Sequence, residues 1–213
     1  DDKGRIYRLK SKGKRLDARW NWNIANSDTE DLVLLLEHPN SWHRETAARL
    51  LLERRPEDAE SLLSRIFIHS IHWEGRQRAL WVLEGLGLLQ PKHIEAALSD
   101  SSPAVRKQAA VLLELHWDDC PNGELMARKM LVDSNQAVQF QALLSFGDRI
   151  DPADFQLWLH VFSRSVEDKW LTQAMLMAVG DDLPNLVQEF WTRGQDGILK
   201  SSSPEKTDNI YRI

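Results

Sequence analysis

The chain has 213 residues, of which 42% are hydrophobic and 28% charged, and its 27 basic and 32 acidic side chains give a formal charge of −5. This composition is typical of an ordered protein with a real core. A single cysteine, Cys120, excludes a disulfide framework and a cysteine-rich zinc site, and the longest apolar run, residues 32–36, is far shorter than the roughly 18 residues of a membrane span.

Basic side chains are concentrated at the N-terminus. Residues 1–20 hold eight Lys or Arg and three acids, whereas the rest of the chain holds 19 basic and 29 acidic side chains. We interpret residues 1–27 as a basic arm on an acidic body. The arm is either a solvated linker or a contact for nucleic acid or an acidic partner.

After the arm, one five-residue pattern recurs about every 32 residues and ends in alanine each time. Apolar residues follow it at helical spacing, and the small alanine lets two helices approach closely. The five copies begin at residues 43, 75, 105, 138 and 170. A helical period inside each unit and a longer period between units predict stacked helical hairpins.

Caps and helix breakers place the hairpins within this period. Asp28 is a suitable N-cap for the first helix, Pro39 ends that helix, and Pro56 and Pro91 open the second and third hairpins. The hairpins begin near residues 28, 56, 91, 122 and 151, and a single capping helix follows over residues 182–191. The prediction is an all-α protein, a right-handed α-solenoid (α-α superhelix) of about five hairpins over residues 28–192.

The two ends of the chain carry similar β-prone segments at residues 4–9 and 209–213, and each contains Ile-Tyr-Arg. A single strand is not stable in water, so we expect these segments to pair with each other or with another molecule. Glycine and serine predict a flexible tail over residues 193–213.

The third unit carries the motif that marks HEAT repeats, an acid five residues before a valine that an arginine follows. The other units keep parts of this motif, and it fades toward the C-terminus as in capping repeats. An arginine at this position can bridge carboxylates of its own or the neighbouring turn, so we predict a structural ladder across the repeats. Its members are Arg44, Arg76, Asp100, Arg106 and Asp133.

Longer segments resemble one family in particular, and the most characteristic are His38-Pro-Asn-Ser-Trp42 and Ala79-Leu-Trp81. Over about residues 4–180 the chain resembles the HEAT-repeat region of the large membrane-bound dehydrogenases of planctomycete-type bacteria. The resemblance implies a β-propeller dehydrogenase before the repeats, a c-type cytochrome after them and an extracytoplasmic location. No propeller precedes residue 4, and Cys120 is followed by Pro-Asn-Gly and cannot attach haem, so we expect an excised helical module.

In HEAT arrays the second helices line a concave face, which is where such proteins usually bind. Trp81 aligns with Arg49 one position before a core leucine, and we expect both to lean toward that face. With Glu45, Gln77 and Lys107 they would form a groove for an extended peptide or a neighbouring domain. The alternative, in which Trp81 packs between adjacent second helices, stays open.

The remaining tryptophans are interpreted from their position in the helical pattern. Trp158, Trp170 and Trp191 fall at apolar-periodic positions and are expected in the core. Trp42 and Trp73 each stand at the start of a second helix, and we expect them to pack beneath the turns between helices.

No residue is a candidate for catalysis or metal binding. His69 and His72 lack a third ligand, and the acids beside Cys120 disfavour a reactive thiolate. We therefore expect a non-catalytic scaffold or protein-interaction module without a cofactor, whose partners are proteins or neighbouring domains of the parent chain. The alternative is a HEAT-like DNA-binding protein or DNA alkylation glycosylase, but it requires a positive groove, and the excess of acids outside the arm argues against one.

Overall fold

The computed structural model describes residues 23–151, 154–165 and 168–198, and within them it contains α-helices and short 3₁₀ turns but no β-strand. The predicted all-α class is confirmed for this part of the chain. The β-prone segments 4–9 and 209–213 lie outside the described residues. The helices are α1 Thr29–Leu35, α2 Ser41–Arg54, α3 Ala59–His69, α4 Trp73–Leu86, α5 Pro91–Leu98, α6 Pro103–Leu115, α7 Gly123–Leu131, α8 Gln136–Phe146, α9 Phe155–Ser165, α10 Lys169–Val179 and α11 Leu183–Ile198.

Short polar side chains begin several of these helices. Asp28 Oδ1 accepts a backbone N–H of the first turn of α1 at 2.8 Å. Asn40, Asn135 and Asp168 accept N–H groups in the same way at the starts of α2, α8 and α10. Gly87 follows α4 with φ +73°, the left-handed conformation in which glycine ends a helix without strain.

Consecutive helices pack together in pairs, α1 with α2, α3 with α4, α5 with α6, α7 with α8, and α9 with α10. The second helices also contact one another in chain order, from α2 through α4, α6 and α8 to α10, and so form one layer. Among the first helices, α1 packs on α3, α5 on α7, and α9 on α11. We call the exposed surface of α2, α4, α6, α8 and α10 the second-helix face.

The recurring alanine lies at the closest approach between helices. In every unit its side chain is at most 2% exposed, because a larger group would separate the two layers. These residues are Ala47, Ala79, Ala109, Ala142 and Ala174. Leucines of both layers pack around them to form one continuous core.

The tryptophans divide differently from the sequence prediction. Trp158 is fully buried, as expected, but the prediction was wrong for Trp170 and Trp191, which are 61% and 64% exposed. Trp42 and Trp73 are exposed as well and do not pack beneath the turns. Trp170 occupies a position that is filled in the three preceding units by small buried residues, and an indole does not fit that space.

Helix α11 continues to Ile198, beyond residue 192, at which the predicted helical region ends. Gly194 and Gly197, which suggested a flexible tail, lie inside this helix, because one glycine costs a helix only about 1 kcal/mol. Within the described residues, none of the helices has the length and apolar character that crossing a membrane requires.

Candidate protein-binding face

Arg76 and Asp100 join the second unit to the third. Arg76 donates from Nε and Nη2 to the two carboxylate oxygens of Asp100, and each of these hydrogen bonds is 2.7 Å long. Its Nη1 donates to the carbonyl of Ser70 at 2.9 Å. Both side chains are about nine-tenths buried. Burial alone raises the pKa of Asp100, but hydrogen bonds from Arg76 and from the N–H of Ser102 outweigh it, so the pKa is lowered.

The same arrangement is repeated one unit later. Arg106 holds Asp133 through two hydrogen bonds of 2.8 Å, and its Nη1 donates to the carbonyl of Asp100 at 2.8 Å. The pKa of Asp133 is raised by burial and lowered more strongly by these donors, with a net decrease. Two consecutive inter-unit connections are therefore charged and bidentate, a geometry that fixes orientation as well as distance.

The first and fourth units lack this ion pair. Arg44 donates to the carbonyls of His38 and Pro39 at 2.6 and 3.0 Å, and no carboxylate pairs with it among the described residues. In the fourth unit Gln139 stands where the arginine would be, and Ser165 stands where its acid would be. Both are buried, so uncharged polar side chains stand at these two positions.

Two of the residues predicted for a concave groove pair with their neighbours. Glu45 of α2 forms an ion pair with Arg78 of α4, and Arg49 donates to Glu53 of its own helix at 2.6 Å. These pairs are largely exposed, and each contributes little to stability. The charges at the N-terminal end of the second-helix face are thus matched to each other.

Trp81 lies between two second helices, as the alternative interpretation describes. Its Nε1 donates to Oε1 of Gln108 at 2.9 Å, which links α4 to α6, and its ring packs against the core. Gln77 lies half-buried one turn before it. Lys107 lies farther along the layer and lines an open depression that reaches α8 and α10.

That depression has a volume of about 490 Å³ and contains the aromatic side chains of Phe140 and Trp170. A second depression of about 240 Å³ lies between the C-terminal halves of α8 and α10, where Leu144 and Met177 border it. Leu144 is 48% exposed and Met177 is 74% exposed. We call these two depressions together the α8–α10 groove, lined by the apolar side chains Phe140, Leu144, Trp170, Leu171 and Met177.

The groove was missed by sequence reasoning, although a signal for it was present. Position by position, Leu144 aligns with Arg49 and Trp81, which were chosen for the concave groove. Met177 aligns with Val82 and with other residues that are buried in the second, third and fourth units, so the pattern predicts burial for it. Only the arrangement of α8 and α10 shows that it is exposed.

One histidine outside the groove is held between carboxylates. His116 Nε2 lies 2.6 Å from Glu84, and its Nδ1 lies 3.3 Å from Asp119. Burial lowers the pKa of His116, but the two carboxylates outweigh it and raise the pKa above 6.5. Both ring nitrogens are therefore engaged, and this histidine connects the second unit to the third.

The cysteine and the possible metal ligands are a question separate from the second-helix face. Burial, and next the charges of Asp119 and Glu95, raise the pKa of the Cys120 thiol, which disfavours the thiolate form. Within residues 23–151, 154–165 and 168–198, no cluster of three or more His, Cys, Asp or Glu side chains has a geometry that would hold a metal ion.

No protein-family model matches this chain, and neither the curated proteins nor the solved structures that were searched include a match. The resemblance to the membrane-bound dehydrogenases therefore stays a prediction from the quoted segments.

Proposed function

We propose that the chain is a HEAT-type right-handed α-solenoid that serves as a non-catalytic scaffold and binds protein through its second-helix face. The support for the solenoid is the ordered layer of second helices, joined between units by Arg76–Asp100 and Arg106–Asp133. Each unit contacts mainly its neighbours, so the units follow one another at a regular spacing. Proteins or domains bound to different units are then held at a fixed separation.

The α8–α10 groove carries the proposal for binding. The groove places apolar surface on the same face as charged side chains that already have partners. Its apolar residues include Phe140, Leu144, Trp170 and Met177. An apolar patch with a polar rim is typical of a protein-interaction site. The partner is a protein segment or a neighbouring domain of a parent chain.

Charge favours a protein over DNA on this face. Arg49 and Arg78 are paired with glutamates, Lys107 shares its depression with Asp168, and Arg149 shares the other depression with Glu114 and Asp148. Duplex DNA requires a row of cations free to contact phosphates. The second-helix face does not provide such a row within the described residues.

A binding experiment with two surface variants tests this function. The full chain is immobilised and exposed to an extract of the source organism, beside Met177→Glu and the control Ile71→Glu. Ile71 is 86% exposed and lies in the turn before α4, away from the groove. We expect a specific protein to bind the wild type and Ile71→Glu but not Met177→Glu, because a carboxylate in an apolar contact loses its hydration. Equal capture by all three would contradict the groove as the binding site.

The family resemblance has a separate test. An antibody raised against the chain isolates the native antigen, whose mass and haem absorbance are recorded. A mass several times 24.6 kDa with a haem band supports a helical spacer between a dehydrogenase and a cytochrome. A mass near 24.6 kDa without haem contradicts that parentage and leaves a separate scaffold protein.

A further inference from the structure

The basic arm is opposite in charge to the C-terminal part of the chain, which holds the groove. Residues 1–22, the part of the arm that precedes the described residues, contain eight basic and three acidic side chains, whereas residues 118–198 contain six basic and 13 acidic ones. The half of the chain that holds the groove is therefore its more acidic half. Electrostatic attraction between segments of one chain is effective because the linker keeps their mutual concentration high.

The arm also combines apolar residues with its charges, as the groove does. Within the first ten positions, basic residues stand next to the apolar residues Ile6, Tyr7 and Leu9. In the depression beside Leu144 and Met177, the apolar walls are bordered by the carboxylates of Glu114 and Asp148 and by the guanidinium of Arg149. A segment with this composition can bury its apolar side chains between α8 and α10 while its cations face Glu114 and Asp148.

The arm starts close enough to reach the groove. Arg54, at the end of α2, donates to the carbonyls of Ala25 and Ser27 at 2.8 and 2.6 Å and so fixes where the arm leaves the first unit. From α2 to α8 there are three helix spacings, or about 30 Å at 8–10 Å each. The 13 residues between Leu9 and the first described residue span about 43 Å when extended, so reach does not limit this contact.

We propose that residues 1–22 bind in the α8–α10 groove of their own chain, with the apolar residues of the arm against Leu144 and Met177. The inference rests on the proposed function, since the arm and an external protein segment then compete for one groove. The arm acts as an internal ligand that an external partner must displace, which lowers the partner's apparent affinity.

A photo-crosslinking experiment on the full chain tests the proposal. Tyr7 is replaced by p-benzoylphenylalanine, the protein is irradiated at low salt, and the adduct is located by mass spectrometry after digestion. We expect adducts on peptides of α8 and α10. Met177→Glu should reduce their yield about tenfold, because it places a carboxylate in the apolar contact, while Ile71→Glu should leave the yield unchanged. High salt should reduce the yield as well.

An equal mixture of ¹⁴N- and ¹⁵N-labelled chains shows whether an arm reacts with its own chain or with a second copy. Adducts within single-isotope chains support binding to the same chain, whereas mixed adducts assign the arm to a second copy and overturn the inference. Adducts on other helices, or a yield that Met177→Glu does not change, overturn it as well. If protein capture still depends on Met177 in that case, the proposed function stands and only the role of the arm is lost.

Discussion

Gly147 contacts Ala178 so closely that a Cβ added to the glycine would lie 2.8 Å from the Ala178 Cα. Gly147 follows α8 with ordinary right-handed helical dihedral angles, so its backbone conformation does not require glycine. The requirement comes from packing, since α10 approaches the end of α8 at this point. This contact sets the separation of the two helices that form the groove.

We expect Gly147→Ala to lower the free energy of unfolding by about 2 kcal/mol, because the backbone of Ala178 must move to admit the methyl group. Urea unfolding followed by circular dichroism measures this change. Gly85→Ala is the matched control. The added Cβ there meets only the end of the flexible, partly exposed Leu52 side chain, and alanine improves the helix. Equal destabilisation by both substitutions would contradict the packing argument.

The buried ion pairs between units make a second prediction. Asp100→Asn should lower the free energy of unfolding by about 3 kcal/mol, because it leaves the buried Arg76 guanidinium without its counter-charge. Glu30→Gln removes the exposed partner of Arg65 and should cost no more than about 0.5 kcal/mol. The same urea experiment compares the two variants. A large effect of Glu30→Gln, or none of Asp100→Asn, would show that burial does not govern these pairs.

The spacing of the repeats is enough to predict the pairing of helices and the recurring alanine. Ala109 and its equivalents are buried because one residue in each unit must be small, and a fixed period makes that residue visible in the sequence. Likewise, the structure brings Arg106 to Asp133, two residues selected from the HEAT pattern.

Surface contacts could not be predicted in the same way. The sequence does not show that Glu45 pairs with Arg78, because that choice depends on rotamers and on the offset between neighbouring helices. Helical periodicity also places Met177 in the core, because it assigns a residue to one face of a helix. It does not give the distance to the next helix, and that distance decides whether Met177 is covered. The exposed groove depends on that distance.

The buried His93 makes stability depend on pH. Burial, followed by the charge of Lys92, lowers the pKa of His93 below 6.5, although Glu60 opposes this shift. The unfolded chain should therefore take up the proton first, so the contribution of neutral His93 to stability should be complete above pH 6.5 and be lost as the pH falls below it. We expect His93→Gln to reduce the difference in unfolding free energy between pH 7.5 and pH 5.5.

The control for His93 is His69→Gln, at an exposed position of the same helical layer. An equal change in that pH difference for both substitutions would contradict the argument from the burial of His93. If His93→Gln leaves the pH difference unchanged, the acid sensitivity of the protein arises at other groups.

His116 should show the opposite pH dependence, because Glu84 and Asp119 outweigh burial and raise its pKa. Its contribution to stability is complete below pH 6.5 and is lost as the pH rises through the pKa of the folded state. A proton NMR titration of the imidazole follows this group directly.

Glu84→Gln should shift the midpoint of the His116 titration to lower pH, since the 2.6 Å contact loses its charge. Asp118→Asn, which changes an exposed neighbour without a hydrogen bond to the ring, should move the midpoint much less. Equal shifts in both variants would mean that general acidity of the turn, and not the contact with Glu84, sets the pKa of His116.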